Sequence, residues 1–233
     1  MRLSEKYIPT TLDEIVGQHA PIRRLRELVA NPYPCCFLLE GLPGVGKTAT
    51  ANALAEDLGC CPWTGKYTVK APRLGIEKIE ELFGHALRMR PMSGSRWHVL
   101  IIEELERCVS DAARTELKCQ LSEGEMPEHL IVVATSNDIS KLEPALLERF
   151  EVMAYSSGLA FAGECREWLT EVWAKECLQR GLGERDMPAG WMSWGVDGER
   201  FSLRMALNSM GSMLDLMEAV DEYKREHAGE DEV

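Results

Sequence analysis

The sequence predicts an α/β domain, a parallel sheet covered by helices on both faces, followed by a smaller all-helical domain. Three observations predict it. Short apolar runs of strand length alternate with stretches whose apolar residues recur at helical spacing. The inner runs Trp97-His98-Val99-Leu100-Ile101-Ile102 and Leu130-Ile131-Val132-Val133-Ala134-Thr135 are nearly continuous rather than alternating, as in strands buried on both faces. After Ser156-Ser157-Gly158 the pattern is helical only, which divides the chain into residues 1–156 and 157–233.

Taken in order, Pro9 stops any early helix, and Thr11 with Glu14 reads as a capping box for a short helix ending near Gly17. Residues 20–30 follow as a helix, with Ile22, Leu25, Leu28 and Val29 on one face, until Asn31-Pro32-Tyr33-Pro34 breaks it. Cys35–Glu40 is a first strand, residues 48–58 an Ala/Leu-rich helix, and Tyr67–Lys70 a second strand. Ile76, Ile79, Leu82, Phe83, Ala86 and Leu87 place a helix over 75–90, closed by the turn Pro91–Ser95. The strand 97–102, a helix near 110–122, the strand 130–135, a short helix over 142–149 and a last strand over 151–155 complete the domain. The second domain reads as helices at about 162–180, 187–195 and 202–224, ending in an acidic tail.

Between the first strand and the next helix lies Gly41-Leu42-Pro43-Gly44-Val45-Gly46-Lys47-Thr48. Gly, four residues, Gly-Lys-Thr in a strand-to-helix turn is the P-loop pattern. Glycines let backbone N–H groups close around phosphate oxygens, and the helix start is positive. Gly41, Pro43, Gly44, Val45, Gly46, Lys47, Thr48 and Ala49 are thus expected around the phosphates of a nucleoside triphosphate, with Lys47 on the β and γ groups and the Thr48 hydroxyl on Mg²⁺. Hydrolysis also needs acidic groups, and the third strand ends in Glu103-Glu104. Glu103 is assigned to the metal's water shell and Glu104 to the attacking water, although Glu103 is one methylene longer than the Asp usual at the metal side. Asn137 closes the next strand within reach of the γ-phosphate or that water, and Arg149 stands just before the last.

The array resembles an AAA+ ATPase, and within that class the small subunits of clamp loaders of the replication factor C type. Glu5-Lys6-Tyr7-Ile8-Pro9 resembles the family's Glu-Lys-Tyr-Arg-Pro box, with Ile8 in place of Arg, and Val16-Gly17-Gln18 its Val-Gly-Gln. The resemblance implies that Val16 and Gly17 line the adenine pocket and that Asn137 is sensor 1. It implies that Arg149, in Glu-Arg-Phe where Ser-Arg-Cys is usual, is an arginine finger serving a neighbouring subunit's ATP. Leu203-Arg204-Met205-Ala206-Leu207-Asn208 is similar to the family's lid sequence, which makes Arg204 sensor 2. Implied partners are other AAA+ subunits, DNA and a sliding clamp, with Arg73, Lys78, Arg88, Arg90 and Arg114 as candidate phosphate contacts. The chain is expected to lack the helical collar that follows the lid in that class. Two other readings stay open: an AAA+ motor of another branch, such as a branch-migration helicase or remodeller, and a structural subunit that binds ATP without hydrolysing it.

Composition bounds these readings. A hydrophobic fraction of 45% can bury a core, and nothing resembles a signal peptide or a bilayer-length apolar run, so a soluble cytoplasmic protein, nuclear in a eukaryote, is expected. A net charge of −12 excludes a molecule that binds nucleic acid by overall charge alone, although residues 66–96 carry seven basic side chains against three acidic. Eight cysteines without a C-x-x-C pair read as buried thiols rather than a zinc site or disulfide framework.

Overall fold

The computed structural model describes residues 1–87, 95–122 and 124–227. Along the chain its elements are α1 (Leu3–Lys6), α2 (His19–Ala30), β1 (Cys35–Glu40), α3 (Lys47–Asp57), β2 (Lys66–Lys70), α4 (Ile76–Glu81), β3 (His98–Glu103), α5 (Asp111–Gln120), β4 (Leu130–Ser136), α6 (Pro144–Leu147), β5 (Glu151–Ala154), α7 (Leu159–Gln179), β6 (Val196–Asp197), β7 (Arg200–Phe201) and α8 (Leu203–His227). They form two compact units, Pro9–Ser156 and a second in which Met1–Ile8 joins the residues from Ser157 onward.

In the first unit five parallel strands run in the order β2-β3-β4-β1-β5. β3, β4 and β1 are the inner strands; every residue of β4 and all of β3 but Glu103 are buried, as the continuous apolar runs anticipate. Strand alternation sorts their side chains to two faces. Cys36, Leu38, Leu100, Ile102, Val132 and Ala134 join one core with Ile79, Phe83 and Leu117 of the α4 and α5 regions. The alternate residues Phe37, Leu39, Ile101 and Val133 are wholly buried on the opposite face, where α2 and α3 pack. Ala51, Ala53 and Ala55 of α3 are wholly buried, on more than one face of the helix. Arg24 of α2 clasps Glu151 on the edge strand β5 through two 2.8 Å hydrogen bonds.

Two local expectations change. The segment from Leu12 to Glu14 is a single 3₁₀ turn without a Thr11 side-chain cap; Glu14 instead accepts hydrogen bonds from the Thr10 N–H and hydroxyl at 2.6 and 2.9 Å. The helix expected over 75–90 is α-helical only to Glu81 and continues as a π turn over Leu82–Ala86, with Leu87 N–H donating to Leu82 O. Leu82, Phe83 and Leu87 are all in the core. Most of the expected turn over 91–95, with Arg88 and Arg90, lies outside the described residues, as does the end of the acidic tail.

The second unit is not wholly helical. Asp197-Gly198-Glu199-Arg200 closes a two-residue hairpin between β6 and β7, with Gly198 at φ 64°, the glycine-first geometry of a tight hairpin turn. The helix anticipated near 187–195 is a 3₁₀ turn at Trp191–Trp194. Both follow from an aromatic cluster: Phe201 stacks edge-on against Phe161 and Trp191, and Trp173 packs on Trp194. Residues 1–8 were expected in the first domain, yet they group here for a visible reason. Leu3 is buried against Gly211 of α8, and Lys6 and Tyr7 donate to Glu176 of α7 at 2.5 and 2.7 Å.

Candidate nucleotide site

The site begins where β1 ends between β4 and β5, with Glu40 in register with Ser136, at the crevice beyond the strands' carboxyl ends where such sheets bind ligands. Gly41 N–H donates to Ser136 O at 3.2 Å, and the chain then turns through Gly41 at φ 150°, Gly44 at 83° and Gly46 at 105°. At Gly41 a Cβ would lie 2.9 Å from both Cβ and O of Tyr155, so only glycine fits. Gly46 caps α3, and the first N–H to bond back is that of Thr50, to Gly46 O at 2.8 Å. The N–H groups of Lys47, Thr48 and Ala49 therefore have no carbonyl behind them in the helix, and they sit at its positive end. This glycine-shaped cradle with a lysine and a hydroxyl fits a Mg²⁺-bound nucleoside triphosphate by the chemistry of its donors.

Lys47 is 7% exposed, and its ammonium group donates to Gly41 O at 2.6 Å, Leu42 O at 2.9 Å and Asn137 Oδ1 at 3.0 Å. The contact with Asn137 joins the first residue of α3 to the residue that follows β4. Glu103 and Glu104 end β3 beside them. Glu104 takes the left-handed conformation at φ 57°, its N–H donates to Thr135 Oγ1 at 3.1 Å, and its carboxylate pairs with Arg107 at 2.9 Å. Glu103 stands opposite Lys70 in the β2–β3 register. Among the described residues no cluster of three His, Cys, Asp or Glu side chains is arranged to hold a metal, so Thr48 and Glu103 do not by themselves form a cage. Mg²⁺ in such sites is shared with substrate phosphates and water.

The remaining expected residues are divided between the two units. Val16 and Gly17 are half-buried in the loop leading to α2, with Gly17 at φ 64°. Gln18, which follows them, is 4% exposed and pairs with the Ser156 backbone in both directions: Nε2 donates to its O at 2.8 Å and Oε1 accepts from its N–H at 2.9 Å. Arg149 is exposed at the entry to β5 with no side-chain hydrogen bond or ion pair among the described residues, while its neighbour Phe150 is buried. Arg204 is exposed on the first turn of α8 in the second unit. Of the candidate phosphate contacts, Arg73 is exposed, Lys78 is paired with Glu81 at 2.8 Å, and Arg114 is committed to Cys108 O and Asp111. The cysteines are free thiols, but the expectation that they are buried holds only for Cys36, Cys60, Cys108, Cys165 and Cys177: Cys35 and Cys61 are half-buried and Cys119 is exposed.

Sequence reasoning missed Glu106. Its Oε1 accepts from Asn137 N–H at 3.2 Å and from Asn137 Nδ2 at 3.0 Å. The third carboxylate of Glu103-Glu104-Leu105-Glu106 was in plain view, but nothing local says that it folds back towards β4.

The family model of ATPases associated with various cellular activities matches residues 37–157, the span from β1 past β5. The chain belongs to this AAA family. A replication factor C small subunit of Archaeoglobus fulgidus is 36% identical over 110 residues, covering 46% of this chain and 34% of that protein. One from Methanococcus maripaludis is 29% identical over 154 residues, covering 65% of this chain and 48% of that protein. The matches therefore span about half or less of these relatives' length. Among solved structures, the RuvB Holliday junction branch migration motor of Thermotoga maritima has the same fold, with a TM-score of 0.67 at 21% identity, covering 91% of this AAA protein and 67% of that chain. A RuvB variant from the same organism gives a TM-score of 0.70 at 20% identity. No described helix is long and apolar enough to cross a membrane.

Proposed function

We propose that this AAA protein is an ATP-hydrolysing subunit of a clamp-loader-like assembly that acts on DNA in replication. The observation that carries the reading is its similarity to replication factor C small subunits over 154 residues, and the convergence of Lys47 and Asn137 at 3.0 Å supports ATP chemistry within it. Lys47 and the N–H groups of the P-loop hold the phosphates, Val16 and Gly17 the adenine, and Thr48 with Glu103 the water-clad Mg²⁺. Mg²⁺, when bound there, would supply neutralisation of phosphate charge. Glu104 orients and polarises the water, and Asn137 senses the terminal phosphate. Arg149, exposed and without a side-chain partner among the described residues, suits a finger that completes a neighbour's site, and Arg204 a lid contact. The partners are other AAA+ subunits, DNA and a sliding clamp, in the cytoplasm, or in the nucleus of a eukaryote.

The test is ATPase rate against protein concentration, with and without primer–template DNA. A rate rising cooperatively with both, and lost in Arg149→Ala with nucleotide binding retained, is expected; full activity in a dilute monomer overturns the reading. A second reading, a branch-migration motor, is favoured by the fold likeness to RuvB across 91% of the chain. Migration of a four-way junction without stimulation by primer–template would select it. Turnover insensitive to Glu104→Gln would assign the hydrolysis to another enzyme and leave a structural ATP-binding subunit.

A further inference from the structure

Asn137 lies between a cation and an anion. Its Oδ1 accepts from Lys47 Nζ at 3.0 Å, and its Nδ2 donates to Glu106 Oε1 at 3.0 Å. The two ends of a primary amide have nearly the same shape, so hydrogen-bond partners decide which way it faces. Here both partners are charged and both favour one orientation: carbonyl to the ammonium, NH₂ to the carboxylate. The same Oε1 also takes the Asn137 backbone N–H at 3.2 Å, which ties the end of β4 to the end of β3.

The backbone is built to deliver that carboxylate. Glu104 occupies the left-handed region at φ 57° and ψ 53°, an uncommon conformation for a residue with a side chain. The chain thereby enters a single 3₁₀ turn, Leu105–Arg107, held by Arg107 N–H to Glu104 O at 2.8 Å and by the wholly buried Leu105. That turn brings Glu106 back across to β4. Its second oxygen, Oε2, is buried and has no hydrogen-bond partner among the described residues, so the carboxylate's bonded oxygen is directed at Asn137 alone.

We propose that Glu106 is a positioning residue of the nucleotide site. It fixes the Asn137 amide with its carbonyl on Lys47 and one Nδ2 hydrogen on the carboxylate, leaving the second Nδ2 hydrogen for an acceptor beside Lys47. Lys47, Asn137 and Glu106 then act as one relay: the group that grips phosphate, the group that reads it, and the group that sets the reader's orientation. This rests on the ATPase reading above for its effect on turnover, though not for its effect on the amide.

Two measurements test it separately. In the nucleotide-free protein, the Asn137 side-chain amide resonances, identified by their loss in Asn137→Ala, are expected to be shifted and protected from exchange, and to move to free-amide positions in Glu106→Ala. In steady-state kinetics, Glu106→Ala is expected to lower kcat on the order of tenfold while ATP affinity changes by less than about twofold. Glu106→Gln keeps an acceptor of the same reach and should retain more of the rate, and it serves if the alanine variant folds poorly. In an Asn137→Ala background, Glu106→Ala should cost no further rate, because its effect passes through the amide. An amide indifferent to Glu106→Ala, or rate losses that multiply in the double variant, overturns the proposal. An amide released by Glu106→Ala in a protein that never hydrolyses ATP upholds the positioning role and overturns the ATPase reading instead.

Discussion

Replacing Gly41 by alanine places a methyl group where backbone and neighbours both exclude it. Gly41 sits at φ 150°, and its Cβ would meet Tyr155 Cβ and O at 2.9 Å each. Tyr155 has little room to retreat, since it is 5% exposed and its N–H is bonded to Glu40 O at 2.7 Å. Backbone strain of this kind costs about 1–3 kcal/mol. Overpacking adds about 1–3 kcal/mol. The sum, about 2–6 kcal/mol, is a large part of a typical domain's ~5–15 kcal/mol. Urea unfolding of the purified protein reads it, with Gly84→Ala as the control because nothing lies within 4 Å of the Cβ added there. The control should be no less stable than the parent, since alanine within a helical segment gains up to about 1 kcal/mol over glycine. ATP affinity should fall in Gly41→Ala as well, since Gly41 O is one of the Lys47 acceptors. A Gly41→Ala protein as stable as its control would refute the steric argument.

Glu176, 2% exposed, accepts from Lys6 and Tyr7, so Glu176→Ala should destabilise the second unit by about 2–4 kcal/mol, seen in unfolding followed by tryptophan fluorescence. Burial alone would raise the Glu176 pKa, but the hydrogen bonds from Lys6 and Tyr7 and the Lys6 charge outweigh it and hold it below its usual 4.5. A depressed carboxyl pKa stabilises the fold above the unfolded value and loses that contribution as pH falls through the folded one. The parent should therefore lose more stability than Glu176→Gln below about pH 4.5, and parallel pH profiles would count against the assignment. Burial pushes the Cys36 and Cys165 thiols up to about 12, whereas Cys119 is exposed. Iodoacetamide at neutral pH should label Cys119 in the native protein and reach Cys36 and Cys165 only after unfolding, as mass spectrometry would show. Ser110 caps α5 by accepting from Ala113 N–H at 3.2 Å, and Ser110→Ala should cost about 1 kcal/mol in the same unfolding assay.

Much of this protein was legible in its sequence where the cause is local. β1, the glycine turn and α3 follow from a continuous apolar run, residues that admit positive φ, and an alanine-rich helix, each readable over a few positions. The hairpin at Asp197-Gly198 is equally local, but its strands are two residues each, too short to show an alternating pattern. The π turn at Leu82–Ala86 was not legible, since Leu82, Phe83 and Leu87 satisfy a helical spacing whether the hydrogen bonds span four residues or five.

What tertiary structure decided is who meets whom. Lys47 reaches Asn137 across 90 positions, Glu106 reaches it across 31, and Lys6 reaches Glu176 across 170. Parallel strands are joined by crossovers, so the order β2-β3-β4-β1-β5 sets which strand ends adjoin, and no periodicity records that order. The sequence could name Lys47, Glu104 and Asn137 because motif spacing marks them. It could not reveal Glu106 as the partner of Asn137, because that contact exists only once a left-handed Glu104 turns the end of one strand towards the end of the next.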